Sequence, residues 1–329
     1  MTKLIDRYNR HINYLRISVT DRCNLRCVYC MPKEGMSQIG HDDVFRYEEI
    51  LRVTKIAAKK GISKIRITGG EPLVRKNIVG FIADINRIRG IEDISITTNG
   101  VLLKNYAAAL KDAGIHRVNI SLDSLDKDKY RKITRIGNID DVFQGITAAR
   151  LNGFNPIKIN FVPLKGINDD ELCAVAKLTL DRPVHIRFIE FMPVNVDNEW
   201  SNVHYIPNER IRKKIETIAP LIPVERKVLT GPAQMFRFEN ALGQIGFISP
   251  LSNHFCASCN RLRLTADGKL RTCLFSDQET DLKAAMRRGC TDSQLEDIIT
   301  RAIMNKPEKH KVLDPNFEKC HRGMSAIGG

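Results

Sequence analysis

Lys64-Ile65-Arg66-Ile67-Thr68-Gly69-Gly70-Glu71-Pro72 is the stretch on which the fold turns. Its first five residues alternate around isoleucine with a period of two, which predicts a strand, and Gly-Gly-Glu-Pro predicts the loop that leaves it. Runs of the same kind recur at Tyr14–Val19, Ile94–Thr98, Arg117–Ser121, Ile157–Val162 and His185–Phe188. Helix-like stretches separate most of them, at Arg46–Lys60, Ile78–Ile88, Lys104–Asp112, Asp140–Leu151 and Asp169–Leu180. Alternating strand and helix implies an α/β fold with parallel strands and crossover helices, arranged as an open sheet or a barrel. A (β/α) barrel carries its chemistry on the loops after the C-terminal ends of its strands.

Beyond about Val224 the pattern changes to short strands and turns. Asp267-Gly268, between Arg261–Thr265 and Lys269–Leu274, predicts a tight hairpin, and two short helices are expected near Asp281–Arg288 and Asp292–Ile303. A soft boundary near residue 225 divides the chain into 1–225 and 226–329. The 329 residues are 43% hydrophobic and 27% charged, ordinary values for a folded protein. No apolar run reaches the ~18 residues that a membrane span needs. Lys3, Asp6, Arg7, Arg10 and Arg16 leave the N-terminus without a signal-peptide core, so a cytoplasmic location is expected. The net charge is +14, and residues 51–150 hold 19 basic against 10 acidic side chains, a balance that attracts polyanions.

Nine cysteines are an odd number for a disulfide framework and point to metal or redox chemistry. Cys23-x-x-x-Cys27-x-x-Cys30 offers three thiolates directly after the first strand. Three soft ligands suit an iron–sulfur cluster that keeps one iron open, whereas zinc would need a distant fourth ligand such as His41. Cys256-x-x-Cys259 with Cys273 across the hairpin is also one ligand short, and His254 could complete a zinc knuckle there. The same shortage occurring twice favours two open clusters. Cys173, Cys290 and Cys320 have no metal spacing and read as ordinary thiols.

These motifs resemble a known family. The first cysteine set, with Tyr29 before its last member, and Gly69-Gly70-Glu71-Pro72 are similar to the radical S-adenosylmethionine superfamily. Ser18-Val19-Thr20-Asp21-Arg22-Cys23-Asn24, Thr97-Thr98-Asn99-Gly100, Phe255-Cys256-Ala257-Ser258-Cys259-Asn260-Arg261-Leu262-Arg263 and the terminal Gly328-Gly329 narrow the likeness to the GTP 3′,8-cyclases of molybdenum cofactor biosynthesis. Tyr8-Asn9-Arg10 departs from that pattern, standing where such sequences often show aromatic-Gly-Arg.

The resemblance implies a partial (β/α) barrel of the radical S-adenosylmethionine type, followed by a C-terminal region that carries a second cluster. It implies two 4Fe-4S clusters, on Cys23, Cys27 and Cys30 and on Cys256, Cys259 and Cys273, and S-adenosylmethionine held by Tyr29, Gly70, Ser121 and Met192. The GTP-contacting positions it implies are Arg16, Arg66, Thr97, Lys158, Arg261 and Arg263; guanidinium groups suit a triphosphate because of their fixed, often bidentate geometry. The tail, Gly328 and Gly329, is implied to reach the active site. An electron donor and the next enzyme of the pathway, cyclic pyranopterin monophosphate synthase, are the expected partners; a homodimer is compatible with the sequence, and neither membrane nor nucleic acid is expected. Two rivals remain: a peptide-modifying radical enzyme, which would usually carry more C-terminal cysteines, and a zinc protein that binds nucleic acid through its basic surface.

Overall fold

The computed structural model describes residues 4–35, 39–194, 203–225, 231–312, 314, 317 and 320–328. Six strands follow one another in parallel: β1 (Tyr14–Ser18), β2 (Lys64–Thr68), β3 (Asp93–Thr98), β4 (Arg117–Ser121), β5 (Ile157–Phe161) and β6 (Val184–Ile189). The helices between them are α1 (Tyr47–Lys59), α2 (Ile78–Asn86), α3 (Leu103–Asp112), α4 (Lys127–Thr134), α5 (Ile139–Leu151) and α6 (Leu172–Asp181). The α/β alternation expected from the sequence is therefore present, with strand and helix ends within about three residues of their predicted positions.

Later elements extend this sheet. After α7 (Asn208–Ile215) come β7 (Ile222–Pro223), β8 (Gln234–Arg237) and β9 (Gln244–Ile248), and β9 pairs in parallel with β6. The predicted hairpin is formed by β10 (Arg261–Leu264) and β11 (Lys269–Arg271), and β10 pairs in parallel with β1. β12 (Thr280–Asp281), α8 (Leu282–Arg287), α9 (Asp292–Met304) and α10 (Met324–Ile327) follow. The sheet runs β12-β11-β10-β1-β2-β3-β4-β5-β6-β9-β8-β7, and its two edges do not pair, so the barrel is partial.

Side-chain alternation explains why this sheet folds around a polar interior. Leu15, Ile17, Ile65, Ile67, Ile159, Ile186, Leu262 and Leu264 are buried in one continuous apolar core that also takes in Ile50, Val53, Phe81 and Leu110 of the helices. Their sequence neighbours Arg16, Arg66, Asn160, Arg187, Arg261 and Arg263 point the other way and line a cavity. Asn9, which stands where the resemblance leads one to expect glycine, takes a left-handed φ of 58°; asparagine is one of the few other residues that tolerates it. Among the described residues, no helix is long and apolar enough to cross a membrane.

Candidate active site

The first cysteine loop is seated by backbone bonds that continue the β1–β2 ladder past the strands. Val19 N–H donates to Thr68 O at 2.9 Å, Gly70 N–H to Thr20 O at 2.7 Å and Glu71 N–H to Arg22 O at 2.8 Å. Gly70 is required here by space: an added Cβ would stand 2.4 Å from Arg22 O and 2.7 Å from Asp21 O. Glu71 is fully buried and accepts from Leu73 N at 3.0 Å, Thr98 Oγ1 at 2.8 Å and Asn99 N at 2.7 Å. Burial pushes its carboxyl up to about 7 despite those three donors. Opposite, the Tyr29 hydroxyl donates to Asp123, whose second oxygen accepts Val162 N–H at 2.8 Å. Burial pushes Asp123 up to about 6.

The second cysteine set occupies the other mouth of the barrel. Cys256 and Cys259 precede β10, which runs parallel to β1, whereas Cys23 follows the C-terminal end of β1. Five residues of β1 at ~3.3 Å each put roughly 16 Å between the two levels. The barrel rule places chemistry beyond the C-terminal strand ends; the parallel β1–β10 pairing puts the second cysteine set at the N-terminal ends instead. There, Arg261 Nη2 donates to Cys259 Sγ at 3.8 Å. Burial alone would raise the Cys259 thiol, but Arg261 and Lys306 outweigh it and bring it down to about 6. Lys306 Nζ holds Arg261 O at 3.1 Å and also Thr272 O, while Arg10 Nη1 holds Cys256 O at 2.9 Å.

Between the mouths lies a cavity of about 320 Å³ that all six of these cysteines line. Tyr29, Gly70, Ser121 and Met192 line it too, as do Arg16, Arg66, Thr97, Arg261 and Arg263. Register pairs Arg263 with Arg16 and Arg16 with Arg66, so three guanidinium groups stand in a row across β10, β1 and β2. Burial, then Arg263 and Arg66, hold Arg16 well below the ordinary arginine range, and burial with Arg261 brings Arg263 down to about 9. Arg66 Nε and Thr97 Oγ1 are buried with no hydrogen-bond partner among the described residues. Such a wall is electrostatically incomplete and matches a polyanion.

Lys158 is on the inward face, in register with Asn119 and His185, but is not among the cavity-lining residues. Burial, then Arg187 and Arg117, push its ammonium down to about 6. Arg187 and Asn160 line the cavity, and the sequence reading did not single them out. The signal was available, since both fall on the inward alternation of predicted strands. The tail arrives at the same wall. Gly328 adopts a φ of 73°, its carbonyl accepts Arg263 Nη1 at 2.6 Å, and a Cβ there would meet Thr68 Cγ2 at 2.8 Å and Ser18 Cβ at 3.0 Å. Gly329 lies outside the described residues, as does the His41 side chain.

Among the described residues, no three His, Cys, Asp or Glu side chains stand close enough to clasp a single metal ion. His254 packs edge-on against the His310 ring at 5.4 Å between centroids. Three thiols on one cavity wall at each mouth are soft ligands that fit a group of several irons bridged by sulfide.

Fold and site together define a radical S-adenosylmethionine protein. The family model "Radical SAM superfamily" matches residues 17–179 and "Molybdenum Cofactor Synthesis C" matches 184–312. The solved structure of Streptococcus suis SuiB bound to S-adenosylmethionine shares the fold, with a TM-score of 0.63 at 15% identity over 91% of this chain and 69% of that one. The GTP 3′,8-cyclase of Moorella thermoacetica is 51% identical over 98% of this chain and 99% of its own length. That of Thermodesulfovibrio yellowstonii is 52% identical over the same shares. The chain belongs to the GTP 3′,8-cyclase family.

Gly70→Ala is expected to destabilise the metal-free protein by about 1–3 kcal/mol, because backbone must move to admit the methyl group. Gly40→Ala, whose methyl would meet only Asp43 Oδ2 at 3.5 Å, should change stability little. Denaturant unfolding of both variants under reducing conditions checks the contrast.

Proposed function

We propose that this protein converts GTP to 3′,8-cyclo-7,8-dihydro-GTP, the first step of molybdenum cofactor biosynthesis, as a radical S-adenosylmethionine-dependent lyase. The observation that carries the reading is one cavity with a thiol triplet at each mouth and a row of guanidinium groups between them. When bound, a 4Fe-4S cluster with S-adenosylmethionine at Cys23, Cys27 and Cys30 supplies a 5′-deoxyadenosyl radical, and a second 4Fe-4S cluster at Cys256, Cys259 and Cys273 supplies an open iron for the guanine end of the substrate.

The chain's own residues bind, orient and exclude water. Tyr29, Gly70, Ser121 and Met192 hold S-adenosylmethionine at the C-terminal mouth. Arg16, Arg66, Thr97, Arg261 and Arg263 hold GTP, with the arginine row taking the triphosphate, and Lys158, on the inward face but off the cavity wall, acts on the substrate through its charge. Joining C3′ and C8 of one nucleotide demands a single conformer, which bidentate guanidinium contacts on a rigid sheet can impose. The tail, Gly328 with Gly329, has a catalytic role at the active site, a reading supported by the Gly328 carbonyl bonded to Arg263 of the arginine row. In this reading residues 1–225 form the S-adenosylmethionine barrel and 226–329 the auxiliary-cluster and GTP region. An external electron donor, delivery of product to cyclic pyranopterin monophosphate synthase, a cytoplasmic setting and an optional homodimer complete the proposal.

Incubating the iron-loaded chain anaerobically with GTP, S-adenosylmethionine and a strong reductant should give the cyclised nucleotide and 5′-deoxyadenosine together. Cys256→Ser should abolish cyclisation while S-adenosylmethionine still binds, and Gly328→Ala should cut turnover at least tenfold with GTP binding kept. Wild-type turnover in either variant would contradict the role given to that residue.

GTP binding should also depend on pH. A lysine held down to about 6 is mostly neutral at pH 7, and a bound triphosphate favours its charged form. Binding therefore takes up a proton, and affinity falls as pH rises from 7 to 9. Calorimetry in two buffers of different ionisation enthalpy reads this uptake, and Lys158→Met should remove it.

A further inference from the structure

Asn99 lines the cavity just beyond β3. Its orientation is fixed chemically. Val101 N–H can only donate, and it donates to Asn99 Oδ1 at 3.1 Å, so the amide nitrogen must face the other way. One hydrogen of that nitrogen goes to Asn24 Oδ1 at 2.7 Å, and the other points to Cys23 Sγ at 3.8 Å. The backbone of Asn99 is held by the buried carboxylate of Glu71, which accepts its N–H at 2.7 Å and the Thr98 hydroxyl at 2.8 Å. Four hydrogen bonds therefore aim this one side chain at a thiol. Cys23 Sγ also accepts Leu25 N–H at 3.4 Å, so two donors converge on it.

We propose that Asn99 is a positioning residue for the first cluster, donating a hydrogen bond to the Cys23 thiolate that raises the cluster's reduction potential. The proposal rests on the assignment of a cluster to Cys23, Cys27 and Cys30. A donor to a ligating sulfur stabilises the reduced, more negative state over the oxidised one, so removing it moves the potential down. Glu71 takes part by locking the donor. The cost of its burial is accounted for if a misaligned Asn99 would leave the thiolate without its side-chain donor.

Asn99→Ser separates this role from mere loop closure. A serine hydroxyl can accept Val101 N–H, adds no charge and is too short to reach the sulfur as the amide does. With both clusters loaded, a potentiometric titration followed by electron paramagnetic resonance should show the first cluster reduced at a lower potential than in the unsubstituted chain. The cluster at Cys256, Cys259 and Cys273 should keep its potential and serves as the internal reference. An unchanged first potential with iron content intact overturns the proposal. If Asn99→Ser does not hold the first cluster, the unsubstituted chain labelled with side-chain ¹⁵N-asparagine decides. A ¹⁵N coupling to the reduced first cluster supports the bond, and its absence overturns it. No cluster on Cys23, Cys27 and Cys30 of the unsubstituted chain would defeat the underlying assignment instead, a result distinguishable by iron analysis alone.

Discussion

The alternation of side chains on parallel strands is the constraint from which the rest follows. Each inward residue is paid for by outward neighbours: Arg16 lies between Leu15 and Ile17, Arg66 between Ile65 and Ile67, and Arg263 between Leu262 and Leu264. A fully buried aliphatic side chain contributes ~1.5–3 kcal/mol, and an uncompensated buried charge costs several. Two such neighbours therefore offset one inward arginine only approximately. The helices that cover the outer face supply the surplus, and the sheet can hold a row of inward arginines, of which Arg66 keeps a buried Nε with no hydrogen-bond partner among the described residues.

In the proposed function that wall is a preorganised receptor for the triphosphate. Register sets Arg263, Arg16 and Arg66 side by side, and an anion bound along the row would offset their mutual repulsion. The strands that create the row also separate the thiol triplets, because β10 runs parallel to β1 and enters the sheet from the mouth opposite the first cysteine loop. Substrate held along the row is then within reach of both ends. Arg263 further serves as the contact point for Gly328, so the last described residue of the chain reads the same wall. Asn99 and Glu71 extend this logic from the substrate to the first cysteine loop: the buried Glu71 after β2 holds the half-buried Asn99 after β3, whose amide faces the Cys23 sulfur.

Much of this was legible in the sequence. The six central strands, the hairpin and both cysteine sets are local signals of period, turn chemistry and spacing. Arg16, Arg66 and Lys158 were singled out by the resemblance, and their inward direction is seen in the alternation of the strands that carry them. What escaped was non-local or masked by composition. α4 was missed because Lys127–Thr134 is mostly charged and buries only Tyr130, Ile133 and Thr134, leaving the Asp126 cap as its one signal. The insertion of β9 beside β6 and of β10 beside β1 could not be read, since no local pattern specifies a parallel partner far away in the chain. For that reason the second cysteine set could be recognised but not placed at the opposite mouth. Lys158 was given the right face, but its place off the cavity wall depends on packing around β5 and β6.

The proposed chemistry needs both thiol triplets to hold iron–sulfur clusters at the two mouths of one cavity. Anaerobic reconstitution with iron and sulfide, followed by metal and acid-labile sulfide analysis and an electron paramagnetic resonance spectrum of the reduced protein, tests it most directly. The account predicts a brown, oxygen-sensitive protein with two four-iron clusters per chain, reduced to one by removing either triplet. Zinc bound at Cys256, Cys259 and Cys273 in a chain that still cyclises GTP would contradict it.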